Sequence, residues 1–238
     1  MVFGFLKDKF HLRFKNRVIA ANILAVALEE ALRRMKIDKK KEILLLLGVP
    51  RGGVVVADVV ASKLSYKYEF DIVIPRKLTT PGNQEIAIGA IMEDGTNYIN
   101  QELINEIDVG QVYLEKEKAR QMDEIKRRRS LYRNAENRGY DIQDKIVILV
   151  DDGAATGATL MAAARWIRKE DPRKLIVAVP VTPKDTVEVL KRECDLVVAS
   201  TTAPSATAFK SVAQYYQEFK PVEDDTVIEI CKKRNLAI

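Results

Sequence analysis

Between Ile148 and Leu160 the chain reads ILVDDGAATGATL, an apolar run closed by two adjacent acids and a loop of Gly, Ala and Thr. Lys145 to Val150 is rich in β-branched residues and too short for a helix, so a buried parallel strand is predicted there, with Asp151 and Asp152 at its carboxyl end. The small residues that follow, Gly153, Ala154, Ala155, Thr156, Gly157, Ala158 and Thr159, allow close backbone approach. Gly153 and Gly157 can take positive φ before a helix predicted over Leu160 to Lys169. Successive N–H groups at a helix N-terminus bind an anion without any lysine. The Thr156 and Thr159 hydroxyls add donors, while the paired acids suit vicinal sugar hydroxyls, held directly or through a divalent cation. The chemistry is that of a phosphorylated sugar. Neither a G-x-x-x-x-G-K-[ST] nor a G-x-G-x-x-G string is present, which argues against a Walker-type or dinucleotide site.

Two further groups of donors stand at predicted strand ends. Pro50-Arg51-Gly52-Gly53 closes the apolar run Glu42 to Val49. Arg51 offers a bidentate donor fork, and Gly52 and Gly53 let N–H groups turn toward the same anion. Arg76-Lys77 follows a short strand predicted over Asp71 to Pro75. Leu78 to Gln84, LTTPGNQ, has the composition of an exposed mobile loop and leads into a strand over Ile86 to Met92, closed by Glu93-Asp94-Gly95. Ligands of open α/β sheets bind at strand carboxyl ends near a switch point, so these loops are expected to converge.

The elements that must hold them alternate. Arg17 to Met35 has helical apolar spacing, with Arg33, Arg34 and Lys36 in its last turn, and is read as an N-terminal helix outside the sheet. Further helices are predicted over Val54 to Leu64 and Lys184 to Arg192, and strands over Lys174 to Val181 and Leu196 to Ala199. This order implies an α/β fold: a twisted, mostly parallel sheet flanked by helices, with right-handed crossovers. Lys126-Arg127-Arg128-Arg129 and Arg133 follow Glu115, Glu117, Asp123 and Glu124 in one long polar helix, read as solvated or subunit-facing rather than as an RNA-binding stripe. Pro204 to Phe219, with Phe209, Tyr215, Tyr216 and Phe219, is aromatic and irregular; the segment would cap a cleft, or its aromatics would each simply close the core.

The 238 residues suit a single domain, with a helical extension over 1–40, a core over 41–203 and a cap over 204–238. The formal net charge of +5 is consistent with an anionic substrate and decides nothing alone. No run is apolar enough to cross a bilayer, and MVFGFLKDKFHLRF lacks a signal-peptide core, so a cytoplasmic protein is expected. Cys194 and Cys231 read as reduced, packed thiols. His11, the only histidine, lies in the N-terminal tail, which makes a histidine triad or histidine metal site implausible.

ILVDDGAATGATL resembles the phosphoribosyl pyrophosphate signature of type I phosphoribosyltransferases. LGVPRGG, PRKL, AIGA, EDG and AVPV extend the resemblance to a less characterised branch and to nearly the whole chain. It implies the fold of that family, with a small hood and a flexible loop. It also implies transfer of 5-phosphoribosyl from phosphoribosyl pyrophosphate to a nitrogen nucleophile, a nucleobase, with release of pyrophosphate. Mg2+ would arrive on the donor, near Asp151 and Asp152, rather than in a protein cage. Backbone from Ala154 to Thr159 would receive the 5-phosphate, with Gly153 beside it in the donor site, and Asp151 with Asp152 the ribose hydroxyls. Arg51, Gly52 and Gly53, together with Arg76 and Lys77, would receive pyrophosphate. Glu93 stands where adenine-specific members place a base-serving acid, and Phe209 would stack on the acceptor ring. Ala155 departs from the acid that hypoxanthine and guanine enzymes carry beside Thr-Gly, so adenine is favoured over those two bases, with orotate and other members that carry a small residue left open. A homodimer is the family expectation; membrane and nucleic acid partners are not expected. Two alternatives stay open: a phosphoribosyl pyrophosphate sensor that binds RNA, DNA or a protein, and an enzyme acting on another phosphosugar.

Overall fold

The computed structural model describes residues 2–4, 13–133, 139 and 141–236; His11 falls outside them. The strands are β1 (Val2–Gly4), β2 (Ile43–Gly48), β3 (Lys67–Ile72), β4 (Arg76–Thr80), β5 (Asn83–Ile91), β6 (Asn97–Ile99), β7 (Ile146–Val150), β8 (Lys174–Pro183) and β9 (Leu196–Ala203). The helices are α1 (Arg17–Arg34), α2 (Gly52–Lys63), α3 (Gln101–Glu106), α4 (Gln111–Tyr132), α5 (Ala158–Lys169), α6 (Lys184–Leu190) and α7 (Asp224–Lys233). Six strands form one sheet in the order β1-β9-β8-β7-β2-β3, every neighbouring pair parallel.

Near-continuous apolar strands are what a sheet covered on both faces requires. In β2 and β7, Leu44, Leu46, Ile146 and Ile148 face the layer built by α1, α2, α4 and α7. Leu45, Leu47, Val147 and Leu149 face the opposite layer, where α5 packs. α1 is capped by Asn16, whose side chain accepts from the Ile19 N–H at 3.1 Å. Its alanine-rich face, Ala20, Ala21, Ala27 and Ala31, is fully buried against the sheet and α2.

Three sequence expectations change. The strand expected over Asp71 to Pro75 lies earlier, at Lys67–Ile72, where the charged residues of an edge strand hid its start. The stretch expected as an exposed loop is a hairpin. Leu78, Thr79 and Thr80 are buried in β4, and the turn at Pro81-Gly82 leads directly into β5. With β6 this hairpin makes a separate three-stranded antiparallel sheet. Finally β1, β6, α3 and α7 were not expected; α7 packs on α2 and α4 and contributes Val227 and Cys231 to the core.

Candidate active site

β2 passes through α2 to β3 on one side, while β7 leads to β8 and β9 on the other, so the gap between β2 and β7 is a switch point. Gly48 at the end of β2 pairs with Val150 at the end of β7, which sets the loops after them side by side. The contact is too close for side chains. A Cβ on Gly52 would lie 1.9 Å from Asp152 Oδ2, and one on Gly53 would lie 2.7 Å from Asp151 Cα. The Pro50–Arg51 peptide just before these glycines is cis. The Arg51 side chain leans toward Glu223 and Asp224 at 3.4 and 3.7 Å.

Asp151 Oδ1 accepts from the Asp152 N–H at 2.8 Å. Burial, and after it the charge of Asp152, push the Asp151 carboxyl well above the usual carboxylate range. Burial also raises Asp152, but Arg17 opposes it: Arg17 Nε donates to Asp152 Oδ2 at 2.8 Å. Arg17 is itself fixed, with its guanidinium 3.8 Å from the Phe219 ring centroid and Nη1 on the Lys220 carbonyl at 2.7 Å. The Tyr216 hydroxyl donates to the Asp152 carbonyl at 2.6 Å.

The loop after the acids is pinned from beneath. The Ala154 N–H donates to the Val181 carbonyl at 3.0 Å, and the Thr186 hydroxyl to the Ala155 carbonyl at 2.6 Å. Gly157 takes φ +74°, a left-handed turn that only glycine makes without strain, and α5 starts at the next residue. No acid stands in the first turn of α5, so its positive dipole end is uncompensated. Asp151, Asp152 and every residue from Gly153 to Thr159 line one cleft of about 720 Å³, together with Arg17, Arg51, Gly52 and Lys77. A second cavity of about 380 Å³ adjoins it. Arg51, Lys77, Asp151 and Thr159 face both, and Arg76, Arg120 and Arg128 line the second alone. Arg76 Nε donates to Gln121 Oε1 at 3.0 Å. A larger groove, about 1090 Å³, runs along α1 near Tyr66, but its Glu29 and Glu30 are taken up by Ser65, Arg33 and Arg34, and its Asp38 by the Lys40 N–H. Size alone does not make it the site; convergent polar groups do.

Among the described residues no group of three or more His, Cys, Asp or Glu side chains is placed to hold a metal. Two adjacent carboxylates do fit a Mg2+ that keeps most of its shell on ligand and water oxygens.

The sequence-predicted residues meet here with two exceptions. Glu93 lies outside both cavities, paired with Arg129 Nη1 at 2.8 Å, because the turn after β5 faces α4. Phe209 is 6% exposed and stacks on Tyr215 at 5.0 Å between centroids. It belongs to the core of the cap with Phe14 and Tyr216, while Val212, Ala213 and Phe219 line the cleft instead. Sequence reasoning missed Arg17 and Tyr216. For Arg17 one signal existed, a cation in the first turn of a helix, where the dipole disfavours it.

Residues 20–218 match the family model described as "Phosphoribosyl transferase domain". Relatives from two Mycobacterium tuberculosis strains, which carry a provisional phosphoribosyl transferase name, are 35% identical over 184 residues, 77% of this chain and 40% of theirs. The chain therefore spans about two fifths of the length of these curated relatives. A Thermus thermophilus protein of known crystal structure is 38% identical, covering 95% of this chain and 100% of its own, with a TM-score of 0.70.

Proposed function

The chain belongs to the phosphoribosyl transferase family, and from that premise we propose that it transfers 5-phosphoribosyl from phosphoribosyl pyrophosphate to a nucleobase nitrogen, releasing pyrophosphate. The observation that carries this reading is the meeting of the two acids, the Gly153 to Thr159 loop and the Arg51, Arg76 and Lys77 cations around two adjoining cavities.

The loop and the N-terminus of α5 receive the 5-phosphate. Asp151 and Asp152 accept from the ribose hydroxyls and favour positive charge as it develops on the sugar, and Arg51, Arg76 and Lys77 receive the departing pyrophosphate. Arg17 and Tyr216 keep Asp152 in place from its side chain and its carbonyl. Mg2+, when bound with the donor near Asp151 and Asp152, supplies neutralisation of pyrophosphate charge. Val212, Ala213 and Phe219 offer the acceptor an apolar wall. Ala155, in place of an acid, supports adenine over hypoxanthine and guanine. We read residues 1–238 as one transferase domain of a cytoplasmic homodimer, on the family's pattern. The sensor reading draws less support, because the basic residues of α4 that would meet nucleic acid are matched by acids of the same chain.

The test is to incubate the protein with Mg2+, phosphoribosyl pyrophosphate and a panel of adenine, hypoxanthine, guanine and orotate, and to assay nucleotide and pyrophosphate. Product is expected with adenine and not with the 6-oxopurines. Silence across the panel would move the weight to the sensor.

A further inference from the structure

The pyrophosphate end of the site holds more positive charge than Arg51, Arg76 and Lys77 supply. Arg120 and Arg128 of α4 line the same cavity of about 380 Å³. They differ in kind. Arg120 is 56% exposed and has both Nε and Nη2 on Glu117, which makes it a rim charge. Arg128 is 12% exposed and is held by one bond, from Nε to Glu124 Oε1 at 2.8 Å. Among the described residues no acceptor takes its Nη groups, and a guanidinium carries five N–H donors. Arg76 lies close enough to this array that burial, and after it the charge of Arg128, make its protonated form harder to hold. Like charges set against one another in this way are relieved by an anion that touches both. α4 also sets Arg76 itself: Gln121 Oε1 accepts from Arg76 Nε, while Gln121 Nε2 donates to Glu117 Oε1 at 2.9 Å. Arg128 follows Gln121 by about two helical turns and so projects from the same face.

We propose that Arg128 is a further ligand for the leaving pyrophosphate, supplied by α4 of the same chain. The proposal rests on reading this protein as a user of phosphoribosyl pyrophosphate. Titration calorimetry of the full chain with pyrophosphate and Mg2+, and separately with ribose 5-phosphate, tests it. Arg128→Met is expected to weaken pyrophosphate binding by about tenfold or more, the worth of one charge-assisted contact, and to leave ribose 5-phosphate unchanged. Arg127→Met removes the same charge and another partner of Glu124 from the outer face of α4, and is expected to stay within about twofold. Equal weakening in both variants, or none in Arg128→Met, would overturn the proposal and leave the donor assignment standing. If Arg128→Met loses both ligands, Arg128→Lys must still weaken pyrophosphate selectively, or the proposal falls. Wild-type protein that binds ribose 5-phosphate but no pyrophosphate would overturn the donor assignment, and this inference with it.

Discussion

Asp151 lies in the cleft with a second carboxylate beside it, and both burial and that neighbour favour its neutral form. The unfolded chain releases this proton at the ordinary carboxylate value of 3.8, whereas the folded chain keeps it to higher pH. The folded state therefore binds more protons between the two values and loses stability as pH rises through them. Asp151→Asn is expected to raise the melting temperature by a few degrees at about pH 8, with the gain shrinking as the pH is brought down to about 4. Thermal scans of both proteins across that range check it, and a gain that did not change with pH would rule out carboxylate burial as its cause. The strain sits at carboxyl oxygens that line the cleft, and under the proposed function a sugar that donates hydroxyl hydrogens to them relieves part of it.

At the scale of elements, α4 and the β4–β5 hairpin act as a pair. Glu117 is buried, and its Oε1 accepts from the Thr79 N–H and hydroxyl, at 3.3 and 3.1 Å, and from Gln121 Nε2. The Tyr113 hydroxyl adds a bond to the Thr79 carbonyl at 2.9 Å. Glu117→Ala leaves the Thr79 donors and Gln121 without their acceptor and is expected to cost about 2 kcal/mol, read from urea unfolding midpoints. It is also expected to raise KM for phosphoribosyl pyrophosphate, because the seat of Arg76 goes with it. This pairing explains what the sequence concealed. Ile146–Val150 and the loop after it were legible because an apolar strand, two acids and small residues write both structure and chemistry into one short stretch. Leu78 to Thr80 read as exposed loop because Thr, Pro and Gly signal turns, and the acceptor that buries Thr79 stands on α4, far along the chain. For Arg17 the local pattern shows only an ill-placed cation in the first turn of a helix; its partner Asp152 is 135 positions away, and nothing local names it. Phe209 and Glu93 had the right chemistry and the wrong direction, which only packing decides.

Across the whole molecule the net charge of +5 is spread rather than gathered. On α4, Lys126 meets Asp123, Arg127 and Arg128 meet Glu124, Arg129 meets Glu93, and Arg133 just beyond the helix meets Asp71. Phosphate backbones are held by outward-facing cations that can release counterions; the exposed ones here are paired with acids, and Arg128, whose Nη groups have no acceptor among the described residues, lines the inner cavity instead. No retarded band is therefore expected when the protein is run with mixed RNA or duplex DNA at low salt; a shift that weakens with added salt would favour the regulator instead. The sheet, the hairpin and the cap also come from widely separated parts of the chain, and the clasp around Asp152 joins the first turn of α1 to Phe219 and Lys220. A ribosome making this protein releases the Gly153 to Thr159 loop well before Phe219 and Lys220, yet Asp152 beside that loop has its full set of neighbours only once they have emerged. The nascent chain therefore lacks the Arg17 clasp on Asp152 until synthesis has passed Lys220, and a leading fragment that stops short of it is expected to hold Asp152 less firmly.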